Sequence, residues 1–351
     1  MNLISLTSLR FLAALLVFGY HGNVVLGDTS QSVTSVLFGA GSVGVTFFFL
    51  LSGFLLAWVH RPDDTPGRFY RRRFARIYPA YIATLLIGFL LVAIASPKNL
   101  ADGLATPFLL QAWLPNTNNV LAINIPAWSL SVEAFFYLLF PLVIGTISRL
   151  TEVWRAAAGA ILVLILIAIA SPDLALAARE HFGYTLGYFP PARLPEFLLG
   201  VLAGVRFGKV GLPHVPIWIP ASLSVAVVLW AGWSHSEWGL TVMPVLPFLL
   251  LIAAVAASDR DGHVTLLHHP AIVHLGKWSY CFYLVHVLVL GVVHSTFEFF
   301  RADGFADGWA VWVVTLAAAV LSSYLLYRFV EKPFQVILSS NRGREPLRTR
   351  P

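Results

Sequence analysis

The chain has little charge and almost no cysteine. Only 11% of its 351 residues are Asp, Glu, Lys or Arg, whereas 58% are hydrophobic. So little polar surface cannot cover a water-soluble globule of this length, which excludes an ordinary soluble domain. A lone cysteine, Cys281, excludes an internal disulfide and any Cys-based metal site. Lysine is scarce beside arginine, and there is no internal repeat, low-complexity linker or G-x-S-x-G nucleophile elbow. The apolar segments also continue to the C-terminal tail instead of giving way to a soluble mature domain, so no leader is expected to be cleaved.

What the chain does have is long apolar runs. About ten windows have the roughly 17 to 22 residues needed to cross a hydrocarbon core. They lie near 6–26, 43–59, 78–96, 126–147, 155–171, 190–206, 214–233, 239–257, 278–297 and 308–328. The sixth, "PPARLPEFLLGVLAGVRFG", carries three prolines and three charges, which allows a broken or re-entrant helix. With an inside start, only Lys98, Arg179, Arg193 and Arg301 of the 23 basic residues fall on the outer side. That asymmetry obeys the positive-inside rule with both termini cytoplasmic. The expected fold is all-α: a polytopic membrane helix bundle of about ten transmembrane helices over residues 1–335, with a short basic cytoplasmic tail at 336–351. The net charge of +6 then marks cytoplasmic loops rather than a nucleic-acid partner. In the longest outer loop, "PFLLQAWLPNTNN" is an apolar patch that either lies in the interface or covers a cavity from outside.

Ionisable residues inside these runs are the functional signal, because a charge in hydrocarbon is costly and normally faces a wet cavity or a partner. "RFLAALLVFGYH" separates Arg10 from His21 by eleven residues. On a helix that is three turns plus roughly 20°, and a rise of about 16 Å, so both share one face. "IPAWSLSVEAFFYLLFP" sets Glu133 between Ser129 and Tyr137, each four residues away. "RLPEFLLG" places Arg193 and Glu196 three apart, able to pair, and "GKWSYCFYLVH" aligns Ser279, Tyr283 and His286 along one stripe. Such serines and tyrosines often only join helices, which is the reading given to Ser52 and Ser279. Several polar stripes in one bundle instead point to a polar cavity with His21, Glu133 and Glu196 toward its outer half. On the inner side, the loop "RPDDTPGRFYRRRFARIYP" ends in Arg73 and Arg76, three apart and suited to phosphates. The adjacent pair His268 and His269 is expected to be solvated, and no metal site is evident.

These motifs resemble acyltransferase family 3, the membrane proteins that O-acylate bacterial surface polysaccharides and secreted glycosides. The matching segments, in order, are R-x10-H at Arg10 and His21, "FFFLLSGFLL" at 47–56, "RRFARIYP" at 72–79, "WSLSVEAFFYLLFP" at 128–141, "RLPEFLLG" at 193–200, "GKWSYCFYLVH" at 276–286 and "FVEKP" at 329–333. Ala134 stands where relatives commonly carry a second acid, and Val285 and Val287 flank His286 where they often carry tryptophan. No SGNH esterase-like domain is expected after the membrane part.

The resemblance implies a multi-pass protein of the bacterial cytoplasmic (inner) membrane that transfers an acyl group, acetyl being the expected one. The donor would be cytoplasmic acyl-CoA, acting as co-substrate with no bound cofactor. The acceptor would be a hydroxyl of a sugar in a polysaccharide, glycolipid or glycoside. Arg10, Arg73 and Arg76 would hold the nucleotide end of the donor, and His21 would serve as general base, since imidazole titrates near neutral pH. Glu133 would orient the imidazole or bind the acceptor. Glu196, Arg193, Tyr137, Ser279, Tyr283 and His286 would line the cavity or the acceptor site. A covalent acyl-histidine stays open as the rival mechanism. The alternative function is a secondary transporter or flippase, which would share the spans but would predict symmetry between halves.

Overall fold

The computed structural model describes residues 3–25, 33–61, 63–95, 100–210, 215–234, 236–301 and 308–339. Ten principal helices run through them: α1 (Ile4–Val25), α2 (Val43–Val59), α3 (Pro66–Ala95), α4 (Trp128–Arg149), α5 (Glu152–Ile169), α6 (Leu194–Val210), α7 (Trp218–Ser234), α8 (Val245–Arg260), α9 (Pro270–Arg301) and α10 (Gly308–Leu326). No strand occurs among the described residues. Eight helical segments there are long and apolar enough to cross a membrane, and α6 and α7 are the two expected spans that fall short, at 17 residues each. At 1.5 Å per residue each covers about 25 Å, just under a typical hydrocarbon thickness.

The sequence suggested a break in α6, and the structure places the irregularity at its entry. Pro190 and Pro191 sit in a 3-10 turn, Pro190–Arg193, and the helix then runs on continuously from Leu194. Proline is tolerated there because the first turn of a helix has no partner for its missing N–H. The larger difference concerns the arginine-rich stretch, which is helix rather than loop. Thr65 and Pro66 start α3, with the Arg68 N–H donating to Thr65 Oγ1, so Arg73 and Arg76 stand on an ordered helical face. Outside the span, Arg72 pairs with Asp64 and holds its carboxyl below the usual carboxylate range.

Close helix contacts are made where glycine replaces a side chain. A Cβ added at Gly53 of α2 would lie 2.1 Å from the Phe197 carbonyl oxygen, and one at Gly200 of α6 would lie 2.1 Å from that of Leu50. Lipid gives helices no hydrophobic reason to associate, so this small-residue seam lets backbones approach and gain packing instead.

The basic ends of the helices gather at one end of the bundle. Ser5 donates to Asp259 from its N–H (2.8 Å) and its hydroxyl (2.6 Å), joining α1 to α8. His268 lies 3.4 Å from the same carboxylate and accepts from the Thr265 N–H, so it is bonded rather than solvated as expected. Arg206 reaches Glu152 at 3.0 Å, joining the end of α6 to the start of α5. The apolar outer loop packs between α3 and α4. Its carbonyls at Thr106, Pro107 and Leu109 accept from Tyr81, Tyr78 and Ser131, which satisfies non-helical backbone among spanning helices. After α10 the chain passes through a π-helical turn, Tyr327–Glu331, into a last helix, Lys332–Ser339. The remainder of the basic tail and Lys98 lie outside the described residues.

Candidate active site

A cavity of about 200 Å³ opens among α1, α2, α3, α4 and α9. Arg10, Arg73 and Arg76 lie at its basic side, Glu133 and Tyr137 in its wall, and Ser129, Ser279 and Tyr283 farther along. Between these polar groups the wall is apolar, built largely from Phe48, Phe49, Leu55 and Leu56 of α2. The chain folds this way because each helix turns one mixed stripe inward and its purely apolar faces outward.

The three arginines are held differently. Arg73 lies over two rings, 5.7 Å from the centre of Phe69 and 5.9 Å from that of Tyr137. Its Nε is buried without a hydrogen-bond partner among the described residues. Arg10 and Arg76 likewise donate to no partner among the described residues, although the charges of Glu133 and Glu331 act on Arg10. Three guanidiniums facing two carboxylates leave the cavity mouth with excess positive charge and unused donors. That arrangement suits an anion with several oxygens.

Glu133 accepts from Ser52 at 3.1 Å and from Tyr137. Its carboxylate belongs to the cavity wall, bonded to these two side chains. Ser52, read from sequence as a packing residue, bonds the acid instead. His21 meets His286, with Nδ1 of the first 3.1 Å from Nε2 of the second. His21 Nδ1 also lies 3.0 Å from the Val17 carbonyl, and His286 Nδ1 lies 2.7 Å from that of Tyr283. This pair sits one helical step beyond the cavity: the Tyr283 ring, which lines it, is centred 5.7 Å from that of His286. Ser129 and the Tyr283 hydroxyl close that end through a 2.8 Å hydrogen bond.

Arg193 and Glu196 pair as their spacing predicts, at 3.0 Å, but they do not line the cavity. Thr46 bridges them, accepting from Arg193 at 3.1 Å and donating to Glu196 at 2.9 Å, while Arg193 lies over Phe49 at 5.3 Å. The pair thus stands behind the wall. Ser279 lines the cavity with its hydroxyl turned to the Gly276 carbonyl. The expected grouping of His21, Glu133 and Glu196 in one outer half is therefore three adjoining clusters. Sequence reading named Cys281 only as a lone cysteine and did not single out Glu331 as its partner. Cys281 is fully buried and donates to Glu331 at 3.0 Å, and Gln335 donates to the other oxygen at 2.7 Å. The motif "FVEKP" was the signal, and the π-helical turn that carries its glutamate is a feature common at functional sites.

Comparison with known proteins decides the family of this chain. The model of an acyltransferase domain matches residues 3–328. The chain belongs to acyltransferase family 3. Acyltransferase MdmB of Streptomyces mycarofaciens is 33% identical over 99% of this chain and 94% of its own length. Nodulation protein 10 of Rhizobium leguminosarum bv. viciae is 25% identical over 94% of this chain and 92% of its own. A putative O-acetyltransferase of Staphylococcus aureus (strain COL) is also 25% identical over 94% of this chain, which spans 57% of that relative's length. No solved structure matches the chain. With its long apolar helices, this family 3 member is a multi-pass membrane acyltransferase.

Proposed function

We propose that this family 3 member transfers an acyl group, acetyl foremost, from cytoplasmic acyl-CoA to a hydroxyl of a membrane-presented sugar. The observation that carries the reading is the cavity itself, basic at one end and leading toward a histidine pair at the other. The names of its relatives, an acyltransferase and a putative O-acetyltransferase, agree with it. The phosphates of the donor bind Arg10, Arg73 and Arg76 on the cytoplasmic side. Its thin pantetheine arm follows the apolar wall, and the rise of about 16 Å between Arg10 and His21 matches the reach required.

The step at the deep end is general-base catalysis. His21 takes the proton of the acceptor hydroxyl through Nε2 as that oxygen attacks the thioester carbonyl. The tetrahedral intermediate collapses, the C–S bond breaks, and the departing thiolate recovers the proton from His21. Glu133 keeps the arginine cluster partly neutralised and, with Ser52 and Tyr137, shapes the wall. The site sits in the cytoplasmic membrane with its basic mouth inward, and no bound cofactor or metal takes part in the proposed chemistry.

The test is transfer of label from radiolabelled acetyl-CoA in membranes holding wild type or His21→Ala at matched expression, with glycolipid and polysaccharide counted together. Label in wild type that vanishes in the variant supports both the reaction and the base. Equal label in both removes His21 from the chemistry. No label with acetyl-CoA, longer acyl-CoAs and candidate glycoside acceptors alike would turn the assignment toward transport.

A further inference from the structure

His286 is fully buried, and its ring is fixed at both nitrogens. Nδ1 stands 2.7 Å from the Tyr283 carbonyl oxygen and 3.2 Å from that of Phe282. Carbonyl oxygens only accept, so in the neutral ring the proton lies on Nδ1 and Nε2 is left with its lone pair. That lone pair faces His21 Nδ1 at 3.1 Å. His21 Nδ1 faces a second acceptor as well, the Val17 carbonyl at 3.0 Å. Two acceptors converging on one nitrogen require it to carry the proton, which leaves Nε2 of His21 as the basic atom. The rings are held in these positions: Phe282 stacks on His286 with centres 6.0 Å apart, Phe18 meets it edge-on at 6.3 Å, and Tyr20 meets His21 edge-on at 5.4 Å.

From this chain of contacts we infer that His286 is a positioning residue that selects the tautomer of His21, fixing Nδ1–H and presenting a free Nε2 toward the reacting groups. The inference rests on the reading of His21 as general base. When His21 Nε2 takes up the acceptor proton the ring becomes an imidazolium, whose Nδ1–H then donates a charge-assisted hydrogen bond to His286 Nε2. His286 keeps its own proton throughout, and the proton gained by His21 leaves again from Nε2 to the thiolate, so no net proton crosses the pair. The role parallels the carboxylate of a Ser-His-Asp triad, which holds its histidine in one tautomer without itself being protonated. Here a neutral acceptor does this inside a membrane, where an added buried charge would be costly.

Two measurements test it on the full-length protein in nanodiscs. In ring-¹⁵N-histidine NMR, with the His21 signals identified by their loss in His21→Gln, wild type should show His21 as the single Nδ1–H tautomer, and His286→Leu, with only the Val17 carbonyl left to favour Nδ1–H, should show a measurable Nε2–H fraction beside it. In kinetics, His286→Leu should lower kcat about 10- to 100-fold, as loss of an orienting partner commonly does, with KM for acetyl-CoA unchanged. His286→Gln, whose side-chain oxygen can accept near the Nε2 position, should recover most of that loss. An Nε2–H tautomer of His21 in the wild-type spectrum overturns the inference. So does a folded His286→Leu variant with wild-type kcat. The spectrum reads the pair independently of turnover, whereas His21→Ala activity alone decides the base. The two ideas therefore fail separately.

Discussion

Replacing Glu196 by leucine should destabilise the protein without altering the chemistry of surviving molecules. Glu196 is completely buried and faces the Arg193 guanidinium at 3.0 Å, with Thr46 bridging the two. Removing one partner of a buried ion pair leaves the other charge uncompensated, at a cost of about 3–5 kcal/mol. Arg193 would keep its 3.1 Å bond to Thr46 and its place over the Phe49 ring, so the lower end, about 3 kcal/mol, is expected. For a chain of this size that corresponds to a fall of about 5 °C in melting temperature. Arg193→Met should cost a similar amount. The double variant Arg193→Met, Glu196→Leu should recover most of the loss, because neither charge is then left alone. The assay is melting in detergent followed by tryptophan fluorescence, with acyl transfer measured per folded molecule below the transition. A Glu196→Leu protein that melts with the wild type but transfers no acyl group would refute the reasoning and bring Glu196 into the reaction.

Gly200→Val should prevent a correctly packed α2–α6 pair, since even a Cβ would meet the Leu50 carbonyl oxygen at 2.1 Å; size-exclusion of the solubilised protein should show aggregate where wild type is monodisperse. Cys281 is fully buried with its thiol on Glu331, so maleimide should label it only after denaturation, and Cys281→Ser should transfer acyl groups within about twofold of wild type; strong inactivation would instead implicate the thiol. If the arginines bind donor phosphates, Arg76→Ala should raise KM for acetyl-CoA about 10- to 100-fold, the worth of a hydrogen bond to a charged group. The same variant should leave turnover of acetyl-pantetheine, which lacks those phosphates, unchanged. An equal loss with both donors would mean that Arg76 supports the fold rather than the donor.

Much of the architecture was legible because hydropathy is a local property. All ten expected windows are helices, and the Arg193–Glu196 pair follows from three-residue spacing alone. Two spans came out short because the charges and prolines around 190–210 occupy the ends of α6, and the window drawn for α7 overran its helix. The inner loop was misjudged for a related reason. A run of arginines has no apolar period, yet it continues α3 once Pro66 starts the helix. Contacts between helices carried no such signal. His21 and His286 are 265 residues apart, and Ser52 and Glu133 are 81 apart, so only packing brings them together. That is why neither the histidine pair nor the bond from Ser52 to Glu133 could be read from spacing along the chain.

The separation of charge along the cavity follows from where water can reach. Arginine is costly in hydrocarbon, but at an open mouth its stem lies along apolar wall while its guanidinium stays available to solvent or phosphate. Arg10 and Arg76 line the cavity half-buried, and Arg73 is shielded by aromatic faces that favour a cation. Farther in, beyond Tyr283, a permanent ion pair would have to be solvated by the protein at every stage of the reaction. Two neutral imidazoles joined by one hydrogen bond avoid that burden and acquire charge only while a proton is in transit. On the proposed reaction, the chain would thereby place permanent charge where the donor's anion arrives and transferable charge where a hydroxyl is activated. The wall between them, mostly α2, needs to be no more than apolar and close-fitting, and the glycine seam to α6 holds it in place.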